Sequence, residues 1–307
     1  MKYLVTGGAG FIGSYITKRL VEEEEQVVVI DNLNTGKEKN LESIKDKIDF
    51  VKGDILDKNL LEDITRNIDG VFHQAALASV QDSFSKPDEY YNVNVNGTEN
   101  ILELAKKNNF KVVYASSSSI YGNPKRIPIE ESDEKNPINP YAKTKLEKEE
   151  LAKIYSKMGV KVIGLRYFNV FGPRQNLDSQ YAAVVPNFTC KLICGNSPVI
   201  FGDGEQTRDF TYIENVVSGN LLAMTSEGVG GEVFNLATGD CHSVTCLFST
   251  LRTIIGAEGV EATYAPHRKG DVLRSRADVS KAQELMGYRV LVSFEEGLQQ
   301  TVDWMRA

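Results

Sequence analysis

Short apolar runs alternate in the first half of the chain with longer segments that repeat apolar residues at helical spacing. The runs are rich in valine and isoleucine, which is typical of strands buried on both faces of a parallel sheet. The segment that follows the first run, Phe11 to Leu20, has apolar residues three and four positions apart, as amphipathic helices do. The pattern predicts strands at Lys2–Thr6, Gln26–Asp31, Ile48–Gly53, Gly70–Ala75, Lys111–Ser116 and Lys161–Tyr167.

This repetition of strand and helix predicts an α/β fold, a Rossmann-like doubly wound parallel sheet. After Asn169 the elements become shorter and glycine-rich turns separate them, which is typical of a part of the chain that determines substrate. A strand-like run at Glu232–Ala237 is predicted to return to the main sheet. We therefore predict a Rossmann domain at 1–168 with a return at about 209–237. A smaller, interleaved C-terminal α/β domain is predicted at 169–208 and 238–307.

Composition narrows the function classes. The chain has 307 residues, a formal net charge of -7 and a pI near 5.2, which disfavours a nucleic-acid partner because phosphates require a basic face. No apolar run approaches the length of a membrane span, and the first strand breaks at Gly7, too early for a signal peptide. We expect a cytoplasmic protein with no membrane partner.

The four cysteines, Cys190, Cys194, Cys241 and Cys246, do not have the spacing of a zinc site. We expect buried, reduced thiols and no metal. His73 and His267 are predicted to be structural.

The first strand leads into a glycine-rich turn, Gly7-Gly8-Ala9-Gly10-Phe11-Ile12-Gly13, and then into a helix. In this context the turn brings backbone amides close to a pyrophosphate. The second strand ends in Asp31, at the spacing of the carboxylate that binds an adenine ribose. A helix cap is the alternative role for Asp31. No arginine follows Asp31 closely, so the sequence favours NAD over NADP.

Tyr141 and Lys145 lie four residues apart in a predicted helix that begins at Pro140, so they share one face. An ammonium beside a phenol favours the phenolate, and Lys145 is therefore expected to lower the pKa of Tyr141 and make it a base. Tyr-x-x-x-Lys alone is a weak signal, but the glycine turn and the serine run at 116–119 strengthen it.

Taken together, these motifs resemble the extended short-chain dehydrogenases/reductases, and specifically the UDP-sugar 4-epimerases. The resemblance extends over the whole chain, through Tyr167-Phe168-Asn169-Val170-Phe171-Gly172-Pro173, Arg208-Asp209-Phe210 and Gly270-Asp271-Val272, to Trp304 in the last helix. It implies Ser117, Tyr141 and Lys145 as catalytic residues. It also implies an NAD cradle composed of Gly7, Gly10, Phe11, Ile12, Gly13, Asp31, Asn32, Asp54, Ile55, Ala75, Ala76, Asn94, Tyr141, Lys145 and Tyr167.

The resemblance further implies how the substrate is held. Asn169 would bind the sugar-nucleotide pyrophosphate, with Arg208 and Arg268 as its cations, although a surface ion pair is the alternative for each arginine. Phe201 would contact the nucleobase. The substrate residues implied are Ala78, Ser79, Ser117, Ser118, Asn169, Gln175, Ala183, Val184, Phe201, Arg208, Arg268, Asp271 and Ser275.

The mechanism implied is transient oxidation. Tyr141 removes the proton of the sugar C4 hydroxyl while the C4 hydrogen passes to NAD. The 4-keto sugar then rotates, so that the hydrogen returns to its other face. The related dehydratases carry an Asp-Glu pair after the reactive serine or threonine, and the decarboxylases usually have a glutamate in that stretch. This chain has Ser118 and Ser119, so both reactions are disfavoured.

Two small residues bear on the size of the sugar that the site can accept. Epimerases restricted to glucose and galactose often have a tyrosine where this chain has Ser275, and a lysine where it has Ala78. Small side chains leave room for a 2-acetamido group, so we expect UDP-GlcNAc and UDP-GalNAc, with UDP-glucose and UDP-galactose also turned over. A harmless surface serine is the alternative for Ser275. The alternative functions are a UDP-glucose 4-epimerase restricted to non-acetylated sugars, another nucleotide-sugar oxidoreductase or dehydratase of the same fold, and a non-catalytic NAD-binding regulator. A homodimer is expected by analogy, through helices around 88–107 and 141–157.

Overall fold

A computed structural model describes residues 1–175, 183–266 and 272–307 of the chain. The strands in these residues are β1 (Lys2–Thr6), β2 (Gln26–Asp31), β3 (Asp49–Lys52), β4 (Gly70–His73), β5 (Lys111–Ser117), β6 (Val162–Tyr167), β7 (Val170–Phe171), β8 (Val199–Phe201), β9 (Thr207–Arg208), β10 (Thr211–Tyr212), β11 (Val233–Leu236), β12 (His242–Ser243) and β13 (Thr263–Ala265).

The α-helices in the same residues are α1 (Phe11–Glu22), α2 (Lys58–Ile64), α3 (Val80–Ser85), α4 (Pro87–Tyr91), α5 (Gly97–Asn108), α6 (Pro140–Lys157), α7 (Val184–Ile193), α8 (Ile213–Thr225), α9 (Val244–Ile255), α10 (Ser280–Met286) and α11 (Phe294–Arg306). Short 3₁₀ segments occupy Glu38–Lys47 and Ser118–Tyr121, and a π-helical turn at Asn92–Asn96 joins α4 to α5.

The main sheet has the strand order β11-β6-β5-β4-β1-β2-β3, and all of its pairs are parallel. This confirms the predicted doubly wound fold, including the return of a late strand, β11, to pair with β6. Neighbouring strand residues face opposite layers of helices. Leu4 belongs to the core on one face and Val5 to the core on the other, which explains why the strand sequences are apolar throughout.

The strand order reverses between β1 and β4, and ligands in such sheets bind beyond the carboxyl ends of the strands at this point. β1 ends directly before Gly7, and β4 ends directly before Gln74. The fold therefore places the glycine turn and the segment after β4 on either side of one crevice.

The later part of the chain adds three two-stranded sheets, which pair β7 with β10, β8 with β13 and β9 with β12. An aromatic cluster holds β7 and β10 against α11, with Phe171 in edge-to-face contact with Phe210, Tyr212 and Phe294. The domain boundaries at 168, 208 and 237 stay predictions. Within the described residues, no helix is both long enough and apolar enough to span a bilayer.

Candidate active site

Three adjoining cavities lie at the carboxyl end of the main sheet. The glycine cavity, of about 490 Å³, is lined by the glycine turn and by residues after β2, β3 and β4. The serine cavity, of about 600 Å³, is lined by Ser116 to Ser119 and Tyr141. The aromatic cavity, of about 390 Å³, is lined by Phe188, Phe201 and Phe210. Tyr141 and Tyr167 line both of the first two cavities.

The glycine turn admits no side chain at two of its positions. Gly7 has φ +68°, and a Cβ there would lie 2.7 Å from the backbone nitrogen of Ala75. A Cβ on Gly13 would lie 2.1 Å from the carbonyl oxygen of Gly7. The turn is thus packed backbone against backbone, and it places the start of α1 at the cavity. Gly10 is the N-cap of α1 and provides no side-chain cap, so first-turn amides face the position that suits a pyrophosphate.

Asp31 closes one end of the glycine cavity. Its carboxylate accepts hydrogen bonds from the backbone nitrogens of Ala9 (2.9 Å) and Leu33 (2.8 Å), so it braces the turn as well as lining the cavity. Beside it, Asn32 Nδ2 donates to Asp54 Oδ2 at 2.8 Å. A carboxylate has about four acceptor sites, which leaves Asp31 able to accept ribose hydroxyls.

The opposite wall consists of the segment after β4, including Ala75, Ala76 and Ala78, while Ile55 lines another part of the cavity. Asn94 lies behind this wall and not in it. It is fully buried, with Oδ1 accepting from Leu77 N and Nδ2 donating to Leu77 O and to Thr144 Oγ1. The amide of Asn94 thus holds Leu77, whose backbone shapes the cavity, and the direct cofactor contact of Asn94 stays a prediction.

Helix α6 presents Tyr141 where the glycine and serine cavities meet. The helix begins as predicted, with Pro140 in its first turn and Asn139 as N-cap, whose Oδ1 accepts from Ala142 N at 2.8 Å. Across the cavity Ser117 Oγ accepts the backbone N–H of Ser119 at 3.2 Å. The Ser117 hydroxyl hydrogen is thereby left to be donated, and Ser117 and Tyr141 line the same cavity.

The electrostatics of this pair differ from the prediction. Burial raises the pKa of Tyr141, and the hydrogen bond with Ser117 lowers it by a smaller amount. Lys145 is not among the causes. Its Nζ lies 5.6 Å from the centre of the Tyr141 ring and donates to Ala115 O at 3.1 Å. Burial lowers the pKa of Lys145 itself to about 8, and the negative charge of Glu149 opposes that decrease.

Tyr167 is anchored by partners that the sequence patterns did not reveal. Its hydroxyl contacts Gln74 Oε1 at 3.1 Å and Asn220 at 3.0 Å, and Gln74 and Asn220 also hydrogen-bond each other. Gln74 follows β4 directly and lines the glycine cavity. Its position at a strand end could have identified it, whereas Asn220, in α8, gave no local signal.

Several predicted substrate residues converge on the serine cavity. Asn169 has φ +33°, an unusual backbone conformation for a residue that is not glycine, and its Nδ2 donates to Asp209 O at 3.1 Å. Arg208 lines both the serine and the aromatic cavities. The remaining predicted residues of the serine cavity are Ala78, Ser117, Ser118, Gln175 and Ser275.

The aromatic cavity has the shape and composition that suit a planar ring. Phe201, Ala183 and Val184 line it, as predicted for a nucleobase site, together with Phe188 and Phe210. Asn169 and Arg208 border this cavity and the serine cavity alike, so a polar, cationic strip separates the two.

Three predicted substrate residues do not appear in this arrangement. Ser79 caps α3, with Oγ accepting Asp82 N at 3.2 Å, and it lines none of the three cavities. Its assignment as a substrate residue stays a prediction. Arg268 and Asp271 lie outside the described residues, as does His267. Arg274, which was not predicted, lines the serine cavity instead.

The thiols also differ from expectation. Cys194 is exposed and the other three cysteines are only partly buried, although all four are free thiols. His73 is structural as predicted, fully buried between Thr6 Oγ1 and Thr98 Oγ1. In residues 1–175, 183–266 and 272–307, no three His, Cys, Asp or Glu side chains are grouped as metal ligands.

A larger cavity, of about 830 Å³, lies elsewhere, between α6, α10 and β11, and is lined by charged side chains such as Glu130, Lys135 and Lys281. It contains neither the glycine turn nor Tyr141. The glycine turn and Tyr141 therefore indicate that the site lies in the three smaller cavities and not in the largest of the four.

Comparison with known proteins finds similar chains in one family. The model of the NAD dependent epimerase/dehydratase family matches residues 3–237. A Thermotoga maritima UDP-glucose 4-epimerase, solved with UDP-glucose, is 39% identical with a TM-score of 0.94, covering 100% of this chain and 99% of that one. A UDP-N-acetylglucosamine 4-epimerase from Methanobrevibacter ruminantium, solved with UDP-N-acetylmuramic acid, is 38% identical with a TM-score of 0.95, covering 99% and 98%. A UDP-N-acetyl-alpha-D-glucosaminuronate decarboxylase from Bacillus cytotoxicus is 35% identical, covering 99% of this chain and 97% of its own.

Proposed function

The chain belongs to the NAD dependent epimerase/dehydratase family, and we propose that it is a 4-epimerase of UDP-hexoses that interconverts UDP-GlcNAc and UDP-GalNAc, and also UDP-glucose and UDP-galactose. Its cofactor is NAD, in accordance with the family. The observation that carries the proposal is the position of Tyr141, which lies where the glycine and serine cavities meet, with Ser117 in the wall of the serine cavity.

The residues present fit NAD. The Gly7 and Gly13 positions leave room only for backbone, and Asp31 lines the end of the cavity where an adenine ribose would bind. NAD supplies a hydride acceptor that later returns the hydride. Lys145 lines the same cavity, with an ammonium suited to the hydroxyls of the nicotinamide ribose, as the family resemblance implies.

Tyr141 and Ser117 would act on the C4 hydroxyl of the sugar. Ser117 lowers the pKa of Tyr141 by hydrogen bonding, so it favours the phenolate over the phenol. Tyr141 then takes the C4 hydroxyl proton and gives it back when the hydrogen returns to the other face of the sugar. For that exchange of faces the 4-keto sugar must turn within the serine cavity while its pyrophosphate stays at Asn169 and Arg208.

The lining of the serine cavity favours epimerisation over elimination or decarboxylation. Among the described residues that line it, none is an aspartate or a glutamate. Dehydration requires an acid and a base besides Tyr141 to remove the C5 proton and to release the C6 hydroxyl. Ser118 and Ser119, which follow Ser117 in the cavity, cannot replace a carboxylate base. This argues against the decarboxylase reaction for which one relative is named.

The acetylated substrates are proposed on steric grounds. Ser275 is buried, and its backbone N–H donates to Thr207 O at 3.1 Å, so this short side chain is held at the cavity wall. Ala78, also small, lines the cavity. Space beside small residues can accept a 2-acetamido group, which a tyrosine at position 275 would exclude. The relatives solved with UDP-glucose and with UDP-N-acetylmuramic acid support a UDP-sugar as the substrate.

A direct assay tests the proposal. Purified protein is incubated separately with UDP-GlcNAc and UDP-glucose, and the products are resolved by chromatography while nicotinamide absorbance is recorded. We expect UDP-GalNAc and UDP-galactose with no net change in absorbance. Stoichiometric NADH would show a net oxidoreductase, a 4-keto-6-deoxy product would show a dehydratase, and the absence of product from both sugars would favour a non-catalytic regulator.

We also propose a homodimer built from α5 and α6. Ile154 on α6, Met158 at the C-cap of α6 and Tyr91 on α4, which leads into α5, are exposed apolar side chains, and packing two copies would cover them. Light scattering coupled to size exclusion should give twice the mass of 34.1 kDa. A monomer that is fully active at all concentrations would contradict this.

A further inference from the structure

A buried carboxylate lies one helical turn beyond Lys145. Tyr141, Lys145 and Glu149 follow one another at four-residue spacing along α6, so their side chains occupy the same face. Glu149 is 7% exposed. Burying a carboxylate costs folding free energy unless the carboxylate is paired and hydrogen-bonded. The partners of Glu149 therefore indicate its role.

Glu149 binds both strands that carry the site. Its Oε1 accepts from Ser116 Oγ at 2.5 Å and from Arg166 Nε at 2.9 Å, and its Oε2 accepts from Arg166 NH2 at 2.7 Å. Ser116 directly precedes Ser117 at the end of β5, and Arg166 directly precedes Tyr167 at the end of β6. The carboxylate therefore ties the helix that bears Tyr141 to the two strands that bear Ser117 and Tyr167.

The arginine is fixed in turn. Arg166 NH1 donates to Tyr121 Oη at 2.6 Å and to Glu131 O at 3.0 Å, and Tyr121 donates to Asn235 Oδ1 at 2.7 Å. A buried ion pair can often be replaced by well-packed apolar residues without loss of stability. Stability alone therefore does not explain why Glu149 and Arg166 are charged, and the position of the pair beside Lys145 suggests an effect on that lysine.

The surroundings of Lys145 hold few compensating charges. Its Nζ donates to the carbonyl of Ala115. Lys148 is fully buried nearby with no hydrogen-bond partner for its Nζ, and Lys145 and Lys148 each disfavour the charged form of His73. Burial lowers the pKa of Lys145, and Glu149 is the group that raises it. Arg166 partly offsets Glu149, since the two are paired.

We propose that Glu149 is a positioning residue for the catalytic site: it fixes α6 against the ends of β5 and β6 and supplies the negative charge that keeps Lys145 an ammonium. The catalytic part of this inference rests on the proposed function, whereas the charge state of Lys145 does not. Loss of the carboxylate charge shifts the Lys145 equilibrium toward the neutral amine, which cannot bind ribose hydroxyls as an ammonium does.

The test is the titration of Lys145 in NAD-loaded protein. Lysine labelled with ¹³C at Cε is observed by NMR in the wild type, in Glu149→Gln and in Glu150→Gln, with Lys145→Met to assign the signal. Glu150 is the exposed neighbour on α6 and provides the matched control. We expect the Lys145 midpoint to move down by about one pH unit or more in Glu149→Gln and to stay in place in Glu150→Gln.

The kinetic counterpart is the pH profile of kcat/KM for the UDP-sugar, whose alkaline limb should move down in Glu149→Gln by a similar interval. A merely structural role would lower activity equally at every pH. If Glu149→Gln does not fold, Glu149→Met, which also removes the carboxylate while Arg166 keeps its charge, receives the same titration. An unchanged Lys145 midpoint in a folded variant overturns the proposal. A wild type that turns over no UDP-sugar overturns the proposed function alone, because the NMR titration does not involve substrate.

Discussion

Replacing Lys145 with methionine should stabilise the protein while abolishing its activity. The side chain is 3% exposed, and burial lowers its pKa from 10.5 to about 8. At about 1.4 kcal/mol per pKa unit, keeping this amine charged at neutral pH costs about 3 kcal/mol of stability. Methionine has a similar length and no charge. Allowing about 1 kcal/mol for the lost hydrogen bond to Ala115 O, we expect a net gain of about 2 kcal/mol.

The pH dependence of this gain has a definite sign. Between the folded pKa of about 8 and the unfolded value, the unfolded wild type binds a proton that the folded protein does not, so wild-type stability rises with pH across this window. The methionine variant lacks this contribution. Its advantage should therefore be full at neutral pH and shrink by about 2 kcal/mol by roughly pH 9.5.

Urea unfolding of NAD-free protein at both pH values measures this directly. Lys143→Met is the matched control, since Lys143 lies on the same helix and is exposed, and it should change stability by less than about 0.5 kcal/mol. A Lys145→Met variant that is less stable than wild type at neutral pH, or whose advantage does not depend on pH, would refute the reasoning that a buried charge is kept at a cost.

Three further substitutions test separate parts of the site. Tyr141→Phe should retain bound NAD, measured after denaturation, and lower kcat by about 10²-fold or more; near-normal turnover would remove Tyr141 from the chemistry. Gly13→Ala places a Cβ 2.1 Å from Gly7 O, so the NAD content of the purified protein should fall, and unchanged content would contradict the role of the turn. Ser275→Tyr should suppress turnover of UDP-GlcNAc but spare UDP-glucose, and an unchanged ratio of the two rates would show that Ser275 does not select substrate.

The sequence was sufficient wherever function depends on local pattern. The apolar runs gave the main strands, including the return of β11, because a doubly wound sheet requires short strands that are buried on both faces. Pro140 and the Tyr141 to Lys145 spacing lie within one helix start, so their geometry follows from helix periodicity. The same holds for the clash of Gly13 with Gly7 within the glycine turn, whereas the clash of Gly7 with Ala75 joins segments distant in sequence.

The parts that were missed depend on contacts between distant segments. Asn94 and Ser79 are polar residues near the site, and only the fold shows that Leu77 and the start of α3 use their hydrogen-bonding groups. The pairing of Glu149 with Arg166 and Ser116 joins three elements whose register the sequence does not encode locally. The pKa of Tyr141 was expected to be lowered by Lys145, but burial has the larger effect, and burial is a property of the assembled cavity.

The central claim is that the C4 hydrogen leaves the sugar and returns to the same carbon without meeting solvent. UDP-GlcNAc that carries deuterium at C4 tests this when it is converted in ordinary water and the UDP-GalNAc product is examined by NMR. The account predicts that deuterium remains at C4 of the product and that the configuration there is inverted. Protium at C4, or deuterium at any other ring position, would contradict it.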